Sequence, residues 1–244
     1  MKKFTFLILL VVFILLISCA FTETLVIEED GSGRMSILMD ASEAMSFGGG
    51  PFQEDGAVAI DSVISFREML FAKKDSIALL SLEEQDLLKK MEDYHLRLII
   101  NPEKQVYMYD VFVNFKNIAE ANNLFQGLDQ ADILSGNTSM GQEIPQKEES
   151  IKVAFSFENN VFKRDAYIVD KAAHQRELDS LINMEMILEG VIYKLHYTFP
   201  KPIKTTSQNT ATFSLDRKTL FYEASFMAFM KNPDVLDIEV VLEN

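Results

Sequence analysis

Over much of the chain apolar and polar residues alternate one for one, as in strands that bury a single face. Residues 23–28 and 34–40 flank Asp30-Gly31-Ser32-Gly33 and are expected to form a hairpin, the glycines suiting a turn with positive φ. Tyr94, Leu96, Leu98 and Ile100 alternate with His95, Arg97, Ile99 and Asn101. Asn101-Pro102-Glu103-Lys104 fits a type I turn, and the returning strand puts Tyr107, Tyr109, Val111, Val113 and Phe115 on one face. In the second half, residues 151–157 and 161–168 are expected to pair across Glu158-Asn159-Asn160. Val191, Tyr193, Leu195, Tyr197 and Phe199 share one face of a long strand that Pro200 and Pro202 break. Residues 211–215 and 219–226 make a further hairpin around Asp216-Arg217-Lys218, and 237–242 is the closing strand.

Shorter stretches carry helical spacing. Residues 41–47 suit a short helix stopped by Gly48-Gly49-Gly50-Pro51, and 61–80 contain a helical portion with Ser65 and Glu68 at capping-box spacing. Ser81-Leu82-Glu83-Glu84 repeats that signature and starts a helix to about Asp93, with Leu87, Leu88 and Met91 on its buried stripe. A helix is expected from Asn117 through Ile118, Ala121, Phe125 and Leu128, and another from Asp170 to Glu189, ended by Gly190. A helical turn covers 227–231, whereas 135–150 is polar, aperiodic and reads as a linker or exposed loop. The pattern predicts an α+β fold: antiparallel sheets of about eight or nine short strands, with amphipathic helices packed on one face. The two strand–helix groups, residues 20–135 and 150–244, are either two subdomains or halves of one sheet.

The first nineteen residues stand apart. Lys2 and Lys3 precede an apolar run from Phe4 to Ile17, interrupted only by Thr5. That run is shorter than the ~20 residues a membrane-spanning helix needs, and its basic start and small-residue end mark a secretory signal. Leu16-Ile17-Ser18-Cys19 resembles the lipobox of bacterial lipoproteins, whose cysteine is acylated and becomes the first residue of the mature chain. Residues 1–18 are then the signal peptide, 19–244 the envelope domain, and Cys19 the site of lipid attachment. Ala20 after the cysteine, in place of Asp, favours the outer over the inner membrane under the common sorting rule.

Composition narrows the function classes. The chain carries 37 acidic and 23 basic residues, a net charge of −14, and loss of Lys2 and Lys3 makes the balance more acidic. Such a charge opposes nucleic acid as a partner. Cys19 is the only cysteine, so no intrachain disulfide forms, and once acylated it leaves no thiolate for catalysis or metal binding. Nineteen Phe and twelve Met with no Trp make a soft apolar interior.

A second resemblance rests on turns and strands. The cysteine is followed at once by a strand, Asp30-Gly31-Ser32-Gly33 and a second strand. Later, Tyr197-Thr198-Phe199-Pro200-Lys201-Pro202-Ile203 precedes Phe213-Ser214-Leu215-Asp216-Arg217-Lys218-Thr219-Leu220. This order resembles uncharacterised lipoproteins of Gram-negative bacteria and, more distantly, the LppM-type lipoprotein domain. The resemblance implies an α+β domain facing the envelope with lipid or ligand binding, and supplies no catalytic residues.

Candidate chemistry is sparse. Asp40-Ala41-Ser42-Glu43-Ala44 after an apolar strand resembles the metal-dependent adhesion motif, Asp-x-Ser-x-Ser, of von Willebrand factor A domains, and Gly136-Asn137-Thr138 its threonine loop. Ala44 stands where the second hydroxyl is required, so Asp40 and Ser42 are the weaker alternative: a divalent-metal site against a strand end that caps a short helix. His95, His174 and His196 lack zinc-site spacing and are expected at the surface. No Gly-x-Ser-x-Gly elbow, phosphate loop or converging acid pair points to an enzyme, and no cofactor is called for. A non-enzymatic envelope protein is therefore expected, anchored to the membrane through Cys19, with a hydrophobic ligand or another envelope protein as partner. An undetected hydrolase is the alternative. A ligand is expected between the sheet and its helices, near methionines such as Met91, Met184, Met186, Met227 and Met230.

Overall fold

The structure is a computed structural model that describes residues 20–42, 58–124, 150–182, 188 and 190–244. Twelve strands among these residues form two sheets. The larger has the order β10-β11-β8-β1-β2-β5-β4-β3 and the smaller β6-β7-β12-β9.

The first hairpin is the one expected: β1 (Ala20–Ile27) and β2 (Gly33–Asp40) pair in full register from Ala20 opposite Asp40 to Ile27 opposite Gly33. Gly31 takes φ +83°, and a Cβ on Gly33 would run into the Val26 carbonyl and the Phe115 ring, so both glycines answer to local geometry. β4 (Tyr94–Asn101) and β5 (Val106–Phe115) form the second hairpin, and β5 joins β2. β3 (Ile60–Ser65) pairs with β4 and occupies the edge. It turns directly into α1 (Phe66–Ala72), followed by α2 (Lys74–Ile77) and α3 (Leu82–Lys90).

After a 3-10 turn at Ile118–Asn123, β6 (Ile151–Glu158) and β7 (Val161–Ile168) pair across Asn159 and Asn160, which adopt φ 53° and 61°. Asparagine tolerates this left-handed geometry, and such a two-residue turn matches the twist of the flanking strands. Asp170 caps α4 (Lys171–Leu181) by accepting the amides of Ala172 and Ala173. β8 (Ile192–Thr198) then returns to the large sheet and lies parallel to β1. β9 (Ile203–Thr206) joins the small sheet, while β10 (Thr212–Phe213) and β11 (Thr219–Ser225) extend the large one. α5 (Phe226–Lys231), a 3-10 turn at Pro233–Leu236 and β12 (Ile238–Leu242) complete the chain.

The α+β class and the antiparallel habit agree with the sequence pattern. Two strands, β3 and β9, were not announced by it. The polarity along residues 60–65 is only partly alternating, and β9 is four residues long behind Pro202. The helix expected from Asn117 is a 3-10 turn over its described part; Asn117 caps it by accepting the Ala119 amide. The expected helix at 41–47, the continuation of the Asn117 helix and most of 135–150 lie outside the described residues.

The two sheets pack face to face over β1, β8 and β7. Leu25, Leu195, Tyr197, Phe162, Phe199 and Ile203 lie in the layer between them, each with at most 1% of its surface exposed. Phe162 of β7 meets Tyr197 and Phe199 at 5.3 Å between ring centres. The cover over this part of the large sheet is thus a second sheet, with helices at its ends. Strands from both halves of the sequence meet in the large sheet, because β8 lies beside β1.

Candidate functional site

Two places combine polar chemistry with an unusual setting: the centre of the sheet sandwich, and a cleft among α1, α2 and α3.

At the centre, Glu23 of β1 faces Arg164 of β7, and both side chains are fully buried. Their strands place them there by alternation, since Glu23 shares the inward face with Leu25 and Ile27, and Arg164 shares one with Phe162 and Ala166. One carboxylate oxygen accepts Arg164 Nε at 3.2 Å and the Tyr197 hydroxyl; the other accepts Nη2 at 3.1 Å and the Tyr193 hydroxyl at 2.8 Å. Nη1 donates to the Leu236 carbonyl at 3.3 Å. Burial works against the guanidinium charge, but Glu23 and the two phenolic oxygens outweigh it and hold the pKa above its ordinary value. Burial, reinforced by the Glu23 carboxylate, pushes the Tyr193 and Tyr197 phenols well above their ordinary range. Both carboxylate oxygens are taken up by donors of the protein itself. The cluster ties the two sheets together.

The cleft has the opposite character. Phe66, at the start of α1, is buried edge-on against Tyr94, and Leu88 and Met91 anchor the other side. Between these anchors, Leu70, Phe71, Ile77, Leu82 and Leu88 line an open cleft of about 520 Å³. Phe71 and Leu82 are 73% and 84% exposed, unusual for large apolar side chains on amphipathic helices. Arg67, Lys74, Gln85, Asp86, Lys89 and Glu92 line it as well. Arg67 pairs with Asp93 at 2.5 Å, and the Lys74 ammonium sits 5.4 Å from the centre of the Phe71 ring. The sequence reading anticipated a ligand space between sheet and helices; the cleft lies between helices. Of the methionines singled out, Met91, Met227 and Met230 are buried, and Met184 and Met186 lie outside the described residues.

The remaining candidates disperse. Asp40 ends β2, an antiparallel strand between β1 and β5, and its carboxylate accepts the Ser42 amide at 3.0 Å. The Ser42 hydroxyl accepts the Tyr107 amide at 2.9 Å, so it latches the end of β2 to the start of β5. Glu43, Ala44 and Gly136-Asn137-Thr138 lie outside the described residues, as does Cys19. Among the described residues no three His, Cys, Asp or Glu side chains group as metal ligands.

His174, expected at the surface, is buried: its Nε2 lies 2.7 Å from the Met230 carbonyl, locking α4 to α5. His95 stacks on Phe112 at 5.0 Å, with the Arg34 guanidinium 3.7 Å from that ring's centre. His196 meets Phe221 edge-on, and burial, then Lys194, lowers its pKa. Sequence reasoning missed Arg164 altogether. The available signal was a lone arginine on the face that carries Phe162 and Ala166.

No family model matches the chain, and no curated protein matches it. A solved structure to which it is similar is the folded domain of LppM from Mycobacterium tuberculosis, determined by NMR. The match has 9% identity and a TM-score of 0.36, and covers 92% of this chain and 89% of that one.

Proposed function

We propose that this chain is a lipoprotein of the bacterial cell envelope, anchored through acylated Cys19, whose folded domain has a non-enzymatic role in binding the apolar part of a ligand. The observation that carries the binding reading is the cleft of about 520 Å³ between α1, α2 and α3. Its volume falls in the range of roughly 300–1,000 Å³ typical of ligand sites, and Leu70, Phe71, Ile77, Leu82 and Leu88 share its lining with charged side chains. Among the described residues, Arg164, Tyr193 and Tyr197, whose pKa values are strongly displaced, are buried between the sheets away from the cleft, and Tyr94, also displaced, lies behind Phe66 and does not line it. That separation supports binding over hydrolysis, because a catalytic cleft gathers such groups at its surface. The occupied hydrogen bonds of Ser42 weigh against the divalent-metal alternative at Asp40 and Ser42.

The anchor rests on Lys2, Lys3, the apolar run and Leu16-Ile17-Ser18-Cys19, and Ala20 supports the outer membrane. Binding is tested with the fluorescent apolar probe N-phenyl-1-naphthylamine and oleate as competitor. Burying a Leu or Phe side chain contributes about 1.5–3 kcal/mol, so Phe71→Asp and Leu82→Asp are each expected to weaken probe binding by roughly ten-fold or more. Unchanged binding in both variants, or no probe binding by the parent chain, overturns the reading.

A further inference from the structure

Four strands form the sheet edges among the described residues: β10 and β3 in the large sheet, β6 and β9 in the small one. An exposed edge offers unpaired amides and carbonyls to any extended chain, and proteins shorten, charge, bend or cover such edges. Three of the four are protected in these ways. β10 is two residues long. β9 is four residues long, carries Lys204 and pairs with β12 through a register shift. β6 is covered by the 3-10 turn, whose Asn122 side chain accepts the Phe155 amide at 2.8 Å.

Among the described residues β3 is neither shortened, bent nor covered, and it carries a single charge. It is six residues long, Ile-Asp-Ser-Val-Ile-Ser, with no Lys, Pro or Gly. Ile60 and Val63 are 41% and 54% exposed, and Val58 just before it is 74% exposed. The one charge on the strand, Asp61, is neutralised within the subunit by a bidentate pair with Arg97, both contacts at 2.8 Å.

We infer that β3 is a pairing edge for a second copy of this chain, joining two large sheets antiparallel across a two-fold axis at Ser62. The strand is self-complementary about that residue. With the axis at Ser62, Ile60 stands opposite Ile64 of the second copy and Asp61 opposite Val63, so like charges do not meet. Val58 comes opposite Phe66 of the second copy, where α1 leaves the sheet and can cover it. A two-fold axis perpendicular to the sheet keeps the inward faces of both copies on the same side, so each strand preserves its alternation. Moving the axis to Asp61 sets two carboxylates opposite one another, which is disfavoured.

The test uses the full chain with single cysteines introduced on the exposed strand, the unsubstituted chain reporting any link through Cys19. Directly opposed residues of an antiparallel pair have Cα atoms about 4.5–5.5 Å apart, inside the ~4.4–6.8 Å that a disulfide spans. Ser62→Cys is expected to give a disulfide-linked dimer under a mild oxidant. Asp61→Cys and Val63→Cys, each offset by two residues from its own copy, stay monomeric alone and link when the two chains are mixed. All three positions are exposed, so folding is preserved. A Ser62→Cys chain that stays monomeric, that links to a different polypeptide, or that links no faster than the other two single variants overturns the pairing.

Discussion

Arg164 is the largest fully buried side chain in the described structure, and its only compensation is local. Removing one partner of such a pair leaves a charge in the apolar layer, whereas replacing both with apolar groups often costs little. Arg164→Met alone is expected to lower unfolding stability by about 3–5 kcal/mol in urea titration. The double variant Glu23→Leu/Arg164→Met is expected to lose less than the single one, with part of the loss coming from the two phenols left without an acceptor. The same cluster sets an alkaline limit. Tyr193 and Tyr197, and Tyr94 through burial, have folded-state pKa values above those of unfolded tyrosine. A raised folded pKa gives stability that is whole below the unfolded value and is lost as pH climbs toward the folded one. The protein is therefore expected to lose stability above about pH 10, the ordinary phenol value. These three phenols should ionise only in step with unfolding, read as a delayed tyrosinate absorbance near 295 nm. Early, non-cooperative ionisation of all seven tyrosines would show that the cluster is open to water. Glu23 on an apolar face was visible in the sequence, but its partner lies 141 residues away, a distance at which no local pattern speaks.

At the scale of elements, the legible parts were those whose signals are local. The Asn159-Asn160 turn, the Gly31 turn and the Asp170 cap are each decided by one or two residues, and each forms where the sequence placed it. Asp170→Ala removes the one oxygen that accepts both the Ala172 and Ala173 amides and is expected to destabilise by about 1 kcal/mol, measured by thermal or urea unfolding. Asp170→Asn, which can still cap, should retain most of that stability. β3 and β9 escaped because their alternation is too short and too polar to stand out, and their place comes from β4 and β12. His174 escaped for a related reason. A helix face reads as exposed until the element packed on it is known, and here α5 supplies the Met230 carbonyl 56 residues later. That a second sheet covers β1 and β8 was not legible either, because the contact joins strands far apart in the chain.

At the scale of the whole molecule, the position of β1 governs what an anchor at Cys19 means. β1 lies inside the large sheet, paired along its length with β2 on one side and with β8 on the other, beginning at Ala20. An acylated Cys19 would bring the end of the sheet where Ala20 meets Asp40 and Ile192 against the lipid surface, with no intervening linker. β3 turns into α1 at Ser65, which shares a row across the strands with His95, Phe112, Ser36 and Thr24, four residues along from Ala20. The cleft-bearing helices therefore leave the sheet away from the end at which β1 begins. Fold and anchor should be separable on one side of Ala20 and inseparable on the other. Cys19→Ser removes the lipids, which at about 0.8 kcal/mol per buried methylene are sufficient to hold the chain on a membrane. It is expected to move the protein to the soluble fraction, read by membrane fractionation, and to leave the domain folded, read by cooperative urea unfolding. Deleting residues 20–27 removes an interior strand and the Glu23 carboxylate together, and should abolish cooperative unfolding by circular dichroism. A Cys19→Ser chain that remains with the membrane would overturn the anchor, and a folded chain without β1 would overturn the sheet order itself.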